Sequence, residues 1–230
     1  MFAKKDSILI ISAHPDDEVI GCGGTILKAI ELGAKVSVLF LGEGVSTRYP
    51  NNENSKACKA AIKFREQSAL KCLKSLGIRN FKFNHFLCTR FDTYPILNFV
   101  RIIENFIGKV KPNIIFTHNE SEVNIDHVVT NKATEIACRP ISKLSVKKIY
   151  AYEAVCSSNF KFKKNFSPDT YVDIKKYIKR KIKALKYYKN EIRNYPFPRS
   201  TLGIETQARY RGMQSGLEFA EAFELLRSIE

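Results

Sequence analysis

Several segments that would place the chain in a membrane or outside the cell are missing from its 230 residues. No apolar run approaches the roughly 18 residues that a membrane-spanning helix needs. The apolar stretch near the N-terminus is too short for a signal sequence and runs directly into acidic residues. The six cysteines include no C-x-x-C pair and no regular spacing, which predicts free, mostly buried thiols in a reducing compartment. We therefore expect a cytoplasmic protein without a membrane span.

Two common active-site motifs are also missing. No G-x-S-x-G sequence occurs, so the chain lacks the serine nucleophile elbow of α/β-hydrolases. Gly21, Gly23 and Gly24 follow a predicted strand but do not form the G-x-G-x-x-G motif of dinucleotide-binding folds. Three acids directly before them would also repel a pyrophosphate. A non-catalytic nucleotide- or sugar-binding module with a Rossmann-like fold remains the alternative to an enzyme.

Acidic residues are too few to balance the basic ones. The chain has 23 Asp and Glu against 38 Lys and Arg, for a net charge of +15. The excess is spread along the chain, with concentrations at residues 161–164 and 175–189. Three explanations compete: a lysine-rich surface without a further role, attraction to an anionic substrate, and nucleic-acid binding. No nucleic-acid-binding motif occurs, so we predict no nucleic-acid partner and leave the first two explanations open.

Hydrophobic patterning predicts alternating strands and helices. Residues 8–11 form an apolar strand, a helix over 24–32 ends at Gly33, and residues 35–41 form the next strand. Together they make a right-handed βαβ unit with parallel strands. We therefore predict an α/β fold, a single-domain Rossmann-like three-layer sandwich over residues 1–230 with a mostly parallel sheet. The remaining predicted elements are helices over 55–76, 94–107, 128–138 and 175–192 and strands over 81–87, 113–118, 147–154 and 170–174.

A histidine and three acids follow the first predicted strand, as His14, Asp16, Asp17 and Glu18. Adjacent carboxylates raise one another's pKa, and a divalent cation removes that cost. Because His14 and Asp17 are close together on a turn, both can reach one ion, while Asp16 can lie beside its open coordination position. The alternative is that the acids only supply negative charge to the first turn of the next helix.

The sequence Ala13-His14-Pro15-Asp16-Asp17-Glu18 resembles the signature of the LmbE-like, PIG-L family of zinc-dependent N-acetylglucosaminyl deacetylases. A second motif, from Thr117 to His127, resembles the second signature of that family. The resemblance implies one zinc ion per chain, held by His14, Asp17 and His127 at the C-terminal ends of the strands. It also implies a hydrolase that removes the N-acetyl group of an N-acetylglucosamine-type conjugate in glycan or surface polysaccharide biosynthesis.

The same resemblance suggests roles for further residues. Asp16 is expected to take the proton of the attacking water and pass it to the leaving amine, and Asp126 is expected to orient site groups. Asn124 stands where several relatives carry a histidine, so it can donate a hydrogen bond but cannot titrate. Residues 208–224 resemble the C-terminal helix of the family. The candidate substrate-binding residues are Arg65, Glu43 and Arg48. The carrier of the N-acetylated sugar, the charge of this small-molecule substrate and the formation of a homo-oligomer stay open.

Overall fold

The computed structural model describes residues 2–141, 145–163 and 166–230. Within these ranges seven strands form one sheet. The strands are β1 Ser7–Ser12, β2 Lys35–Gly42, β3 Asn80–Phe86, β4 Ile114–His118, β5 Lys148–Tyr152, β6 Thr170–Asp173 and β7 Ala220–Ser228. The helices are α1 Asp17–Glu31, α2 Lys56–Leu76, α3 Ile96–Val110, α4 Ile125–Ala137, α5 Ile178–Leu185 and α6 Thr201–Met213. None of the helices in these ranges is long and apolar enough to cross a membrane.

The sheet has the strand order β3-β2-β1-β4-β5-β7-β6. The first five strands pair in parallel, and β7 runs antiparallel to both β5 and β6. The chain builds outward from β1 through β2 and β3 and then returns to place β4 on the other side of β1. The direction of winding therefore reverses between β1 and β4. In open α/β sheets, ligands bind at the carboxyl end of such a point.

Alternate side chains of the central strands pack on two helical layers. Ile8 and Ile10 of β1 face a core formed with α1, α2, α5 and α6, whereas Leu9 and Ile11 face a core formed with α3 and α4. All four side chains are at most 1% exposed. A strand buried on both faces needs a continuous apolar run, which is the pattern that the sequence shows here. The prediction of an α/β three-layer sandwich with a mostly parallel sheet is confirmed.

Helix α1 begins at Asp17 and not at residue 24, where the prediction put it. Glycines have low helix propensity, so the sequence favoured a start after them. Their role is close packing: a Cβ atom at Gly21 would clash with the ring of Tyr152 on β5. Asp17 and Glu18 therefore lie in the first turn of the helix. The helix dipole stabilises negatively charged side chains at this N-terminal end.

The predicted helix over residues 175–192 is wrong in its extent. It is reduced to α5, Ile178–Leu185. Beyond that point Tyr188 turns inward, and its hydroxyl donates to Glu18 Oε1 at 2.7 Å. Tyr188 and Glu191 are both buried, so the chain follows the core and leaves the helical path.

The predicted C-terminal helix over residues 208–224 is also wrong. Helix α6 ends at Met213, and Gly216 adopts a φ of 70°, a left-handed conformation that breaks the helical segment. Residues 220–228 then form β7, which pairs with β5 on one side and β6 on the other. Backbone pairing on both sides outweighs the local helix propensity of this segment.

Candidate metal centre

The two signature motifs meet at the carboxyl ends of β1 and β4. His14 follows β1, and Asp17 lies in the first turn of α1. His127 lies in the first turn of α4, after the loop that leaves β4. One possible ligand atom from each of these three buried residues lies within 4.8 Å of the others. The structure therefore brings together the three residues that the sequence suggests as metal ligands.

Asp126 fixes the orientation of the His14 ring. Its Oδ2 lies 2.8 Å from His14 Nε2 and also accepts from the backbone N–H of Thr89 at 2.5 Å. Its Oδ1 accepts from the backbone N–H of Phe91 at 3.0 Å. In its neutral tautomer that donates to Asp126 through Nε2, His14 keeps the lone pair of Nδ1 free for a cation. Nδ1 lies 3.7 Å from Asp17 Oδ2.

Glu122 holds the His127 ring in the same way. It is hydrogen bonded to His127 Nδ1 and accepts from the backbone N–H of Ala154 at 2.8 Å. The lone pair of His127 Nε2 is then free, 3.5 Å from Asp17 Oδ1. In the part of the chain that the structure describes, neither of these two buried atoms has a hydrogen-bond partner. Two buried acceptors that face each other are costly, and a cation between them removes the cost.

The donor set fits a zinc ion. Two histidine nitrogens and one carboxylate leave a fourth position open, as in catalytic zinc sites. Two overlapping groups meet the same distance limit: His14 with Cys88 and Asp126, and His118 with Glu122 and His127. In both of these groups a carboxylate is already hydrogen bonded to a histidine nitrogen. The group of His14, Asp17 and His127 is therefore the better candidate.

Asp16 has surroundings that differ from those of the adjacent Asp17. Its backbone φ is 126°, an uncommon and strained value for a residue with a side chain, and such strain is concentrated at functional sites. Arg65 Nη2 lies 3.0 Å and Arg199 Nη1 lies 3.3 Å from the same carboxylate oxygen, Oδ2. Burial raises the pKa of Asp16 to about 6, against the opposing effect of the two arginines.

Asp17 is held in its ionised form. Burial raises its pKa, but the nearby rings of His127, His118 and His14 outweigh burial and keep the pKa well below its usual range. The two adjacent carboxyl groups therefore differ in chemistry. Asp17 is a permanent anion, as a metal ligand must be, and Asp16 can gain and lose a proton near neutral pH.

The comparisons with known proteins agree with this arrangement. The family model described as PIG-L, GlcNAc-PI de-N-acetylase, matches residues 9–138, more than half of the 230 residues. The chain belongs to the PIG-L family. The match contains all three candidate metal ligands and Asp16.

Two relatives of this PIG-L protein are named as deacetylases. The uncharacterized deacetylase YaiS of Escherichia coli is 24% identical over 193 residues, which cover 81% of this chain and 92% of the relative. A probable N-acetyl-alpha-D-glucosaminyl L-malate deacetylase of Bacillus anthracis is 23% identical over 80% of each chain. The predicted family and the predicted enzyme class, an amide hydrolase, are confirmed.

Solved structures share the fold. The N,N'-diacetylchitobiose deacetylase from Pyrococcus horikoshii has a TM-score of 0.76 and 20% identity, and the match covers 97% of this chain and 85% of that one. The 4-carboxy-2-hydroxymuconate hydratase GalB from Pseudomonas putida has a TM-score of 0.75 and 19% identity, with 98% of both chains covered. Because a deacetylase and a hydratase are equally similar in structure, this likeness shows the fold and not the reaction.

His118 belongs to the centre of this PIG-L protein, although the sequence showed it only as the end of a strand. Its Nε2 accepts from the backbone N–H of Ala13 at 3.0 Å and lies 3.3 Å from Asp17 Oδ2. Its ring stacks on His127 with 3.9 Å between centroids, and the Tyr152 hydroxyl lies 3.0 Å from Nε2. The sequence did contain one indication of this role: His118 stands at the end of an apolar strand, much as His14 does in the first motif.

Arg199 and Glu191 also reach the centre, and no sequence pattern indicated either residue. Both lie in the segment between α5 and α6. Arg199 contacts Asp16 across a separation of 183 residues. Glu191 pairs with the buried Arg65 and accepts from Arg48 Nη2 at 2.7 Å. No local pattern could have revealed contacts over such a distance in the chain.

The remaining candidate residues are engaged within the protein. Glu43 is 3% exposed and accepts from the N–H of Val45 at 2.6 Å and of Cys88 at 2.8 Å, so it joins two loops at the site. Asn124 accepts from the N–H of Asp126 at 2.9 Å and caps α4. Arg48 is exposed and paired with Glu191, as described above. The structure therefore gives Glu43, Arg48 and Asn124 each a partner within the protein.

Proposed function

We propose that this PIG-L protein is a zinc-dependent deacetylase that hydrolyses the N-acetyl group of an amino-sugar conjugate. One observation carries the proposal: His127 Nε2 and Asp17 Oδ1, both buried and without partners among the described residues, face each other beside the free nitrogen of His14. The names of the relatives, which act on N-acetylated sugars, support the choice of substrate class.

His14, Asp17 and His127 would hold the ion in this proposal. When bound there, zinc would supply a Lewis acid that polarises the amide carbonyl and lowers the pKa of water toward about 7. Asp126 and Glu122 keep the two histidines in the tautomers that point a lone pair inward, and they raise the basicity of both rings.

Asp16 carries the proton. Both arginine contacts fall on Oδ2, which leaves Oδ1 as the oxygen that can take a proton from the attacking water. With its pKa raised to about 6, Asp16 is mostly ionised at neutral pH and still basic enough to accept that proton. It then gives the proton to the nitrogen as the carbon–nitrogen bond breaks. Acetate and a primary amine result.

Arg65 and Arg199 act through Asp16 in this scheme, by holding its carboxylate in one orientation. Asn124 uses its side-chain oxygen to cap α4, so its amide N–H groups are the part that can reach an oxyanion or a sugar hydroxyl. Glu43 holds together the two loops that contain Val45 and Cys88. Arg48 holds Glu191 in place, and through it Arg65.

The main alternative, a non-catalytic nucleotide- or sugar-binding module, has less support. A binding module needs neither a strained aspartate between two arginines nor three buried ligand residues, and each of these features carries a folding cost. Asp16, Asp17 and Glu18 at the start of α1 also oppose the binding of a phosphate at that helix end.

Metal analysis and amine release together test the proposal. We expect about one zinc per purified chain and release of a primary amine from at least one member of a panel of N-acetylglucosamine conjugates. His127→Ala should lose the metal, whereas His85→Ala should retain it, because His85 is exposed and pairs with Glu66 away from the centre. Full zinc content in His127→Ala, or no amine from any conjugate with zinc-loaded enzyme, would refute the proposal.

A further inference from the structure

The segment over residues 156–163 lies beside the loop that leads from β4 to α4 and its candidate metal ligand. Its Ser157 carbonyl accepts from the N–H of Val123 at 3.1 Å, and its Ser157 hydroxyl accepts from the N–H of Asn124 at 3.1 Å. Lys161 Nζ donates to the carbonyl of Glu122 at 3.4 Å. Because Glu122 holds the His127 ring, the segment is anchored directly beside a candidate metal ligand.

Large apolar side chains of this segment project into solvent. Phe162 is fully exposed, at 101%, and Phe160 is 53% exposed. Val123, on the adjoining turn, is 49% exposed. A single exposed apolar residue needs no explanation, but a cluster beside a site marks a binding surface. We call Phe160, Phe162 and Val123, together with Lys161 and Lys163, the rim patch.

Positive charge alternates with the aromatic rings of the rim patch. The sequence runs Phe160-Lys161-Phe162-Lys163. Arg193, in the loop after α5, also lies near this segment. Burial raises the pKa of Cys156, and the charges of Arg199 and Arg193 oppose that rise. Among the residues that the structure describes, Lys161 donates to a backbone carbonyl and Arg193 lies 4.8 Å from the ring centroid of Phe197, and neither of them nor Lys163 pairs with a carboxylate. Their charge is therefore available to an anionic partner.

We propose that the rim patch docks the protein on the surface of a membrane that contains anionic lipids. Phenylalanine side chains enter the boundary between headgroups and acyl chains, and lysines beside them contact the negative headgroups. Apolar insertion alone or electrostatic attraction alone does not give stable attachment, and the rim patch supplies both. Docked in this way, the rim patch would hold Glu122 and the adjacent metal centre close to the bilayer.

The chemistry of the rim favours a membrane over a nucleic acid. Basic groups with aromatic rings also suit single-stranded nucleic acid, which stacks its bases on such rings. A stacking site needs a groove that tracks the phosphate backbone, whereas Phe162 protrudes with its whole surface exposed and the aliphatic Val123 lies nearby. Protruding apolar groups surrounded by lysines match a fluid interface.

Vesicle flotation with the full-length chain tests the proposal in the absence of any sugar substrate. We expect binding to vesicles of phosphatidylglycerol with phosphatidylcholine, weak binding to phosphatidylcholine alone, and weaker binding as salt screens the charges. Phe160→Ser with Phe162→Ser should lower the partition coefficient at least roughly tenfold. Ile141→Ser is the matched control, because Ile141 is 77% exposed just after α4, toward the opposite end of the molecule.

The lysines are tested in parallel. Lys161→Gln with Lys163→Gln should lower binding to the anionic vesicles several-fold, whereas Lys109→Gln with Lys111→Gln, at the far end of α3, should not. Zinc content must stay at the wild-type level in all variants, which separates a docking defect from a damaged metal centre. Equal binding to both vesicle types, or unchanged binding after loss of both phenylalanines, overturns the proposal. The proposal is also overturned if the protein binds a single-stranded oligonucleotide more tightly than anionic vesicles and the phenylalanine and lysine variants abolish that binding. The rim patch would then be a nucleic-acid-binding surface.

Discussion

Residues 9–138 and residues 145–230 contribute to the metal centre and its surroundings in different ways. The first part, which matches the family model, supplies every candidate metal ligand from the ends of two neighbouring parallel strands. The second part contributes three strands, of which β7 is antiparallel to its two neighbours, together with two helices and the segment between them. Its side chains reach back to helix α1 and to Asp16, which precedes that helix.

The two parts also differ in the range of their contacts. Glu122 and the candidate ligand His127 that it orients are five residues apart, and the candidate ligands His14 and Asp17 are three apart. In contrast, Lys181 contacts the Ile20 carbonyl across 161 residues, and Glu221 contacts Gly24 across 197. Each motif is thus short, but the two motifs meet through the contact of His14 with Asp126 across 112 residues. The position of the helix that carries Asp17 is set by tertiary packing with the second part of the chain.

The largest expected effect separates the two adjacent aspartates. Asp16→Asn should retain zinc and lose roughly 10²- to 10⁴-fold in kcat, because it removes the group that carries the proton. Asp17→Asn should lower zinc affinity, with activity partly restored by added zinc, because it removes a charged ligand. Zinc content and kcat, measured for both variants, check the assignment. Loss of zinc in Asp16→Asn together with its retention in Asp17→Asn would reverse the two roles.

The next effect concerns a buried ion pair in the second part of the chain. Lys181 Nζ lies 2.6 Å from Glu221 Oε1 and 2.7 Å from the Ile20 carbonyl, and both side chains are about 5% exposed or less. Lys181→Met should lower the free energy of unfolding by about 3–5 kcal/mol, because it leaves Glu221 charged and buried without its partner. Urea unfolding monitored by circular dichroism measures the change.

A matched pair in the chain provides the control. Lys175 and Glu218 are separated by 2.7 Å but are 65% and 47% exposed, so Lys175→Met should leave the midpoint of unfolding unchanged. Adding Glu221→Gln to Lys181→Met should recover part of the lost stability, since it removes the buried charge while the amide oxygen can still accept from the N–H group of either Gly24 or Thr25. Equal losses for Lys181→Met and Lys175→Met would contradict the role of burial.

A smaller effect is expected at Arg199. Arg199→Met removes one of two guanidinium contacts to Asp16 Oδ2 and leaves the contact from Arg65 in place. A hydrogen bond to a charged group contributes about 1.5–3 kcal/mol, so we expect a loss of roughly 10- to 100-fold in kcat with zinc content unchanged. Arg199→Lys should recover part of the rate. A loss confined to KM would show instead that Arg199 contacts the substrate.

The sequence predicted what depends on local pattern. The strand before His14 and the βαβ unit are each contained in a few tens of residues and follow from the hydrophobic pattern, whereas His127 was indicated by the resemblance of the second motif to a family signature. Helix α2 is another example: Ser55 caps it, and Gly77 with a φ of 86° ends it, close to the predicted bounds.

The parts that the sequence did not predict depend on contacts between distant residues. The helix over 175–192 has the correct periodicity, yet Tyr188 and Glu191 gain more from burial against Glu18 and Arg65 than from continuing the helix. The role of Arg199 was missed for the same reason, because its contact with Asp16 joins residues that are 183 positions apart in the chain. Helical spacing describes the faces of an isolated element and carries no information about the partner that will cover them.

The smallest expected effect lies at Asn124, where the two parts of the chain meet. Its side chain caps α4 by accepting from the N–H of Asp126, while its own N–H donates to Ser157. Asn124→Ala should cost about 1 kcal/mol of stability through the lost cap and should lower kcat less than Asp16→Asn does. Asn124→Ser keeps a capping oxygen but removes the amide donor. If Asn124 acts only as a cap, thermal unfolding and kcat should both return to wild-type values in the serine variant. If its amide also donates to the substrate, stability should return while kcat remains low, and this difference separates the structural contribution of Asn124 from a chemical one.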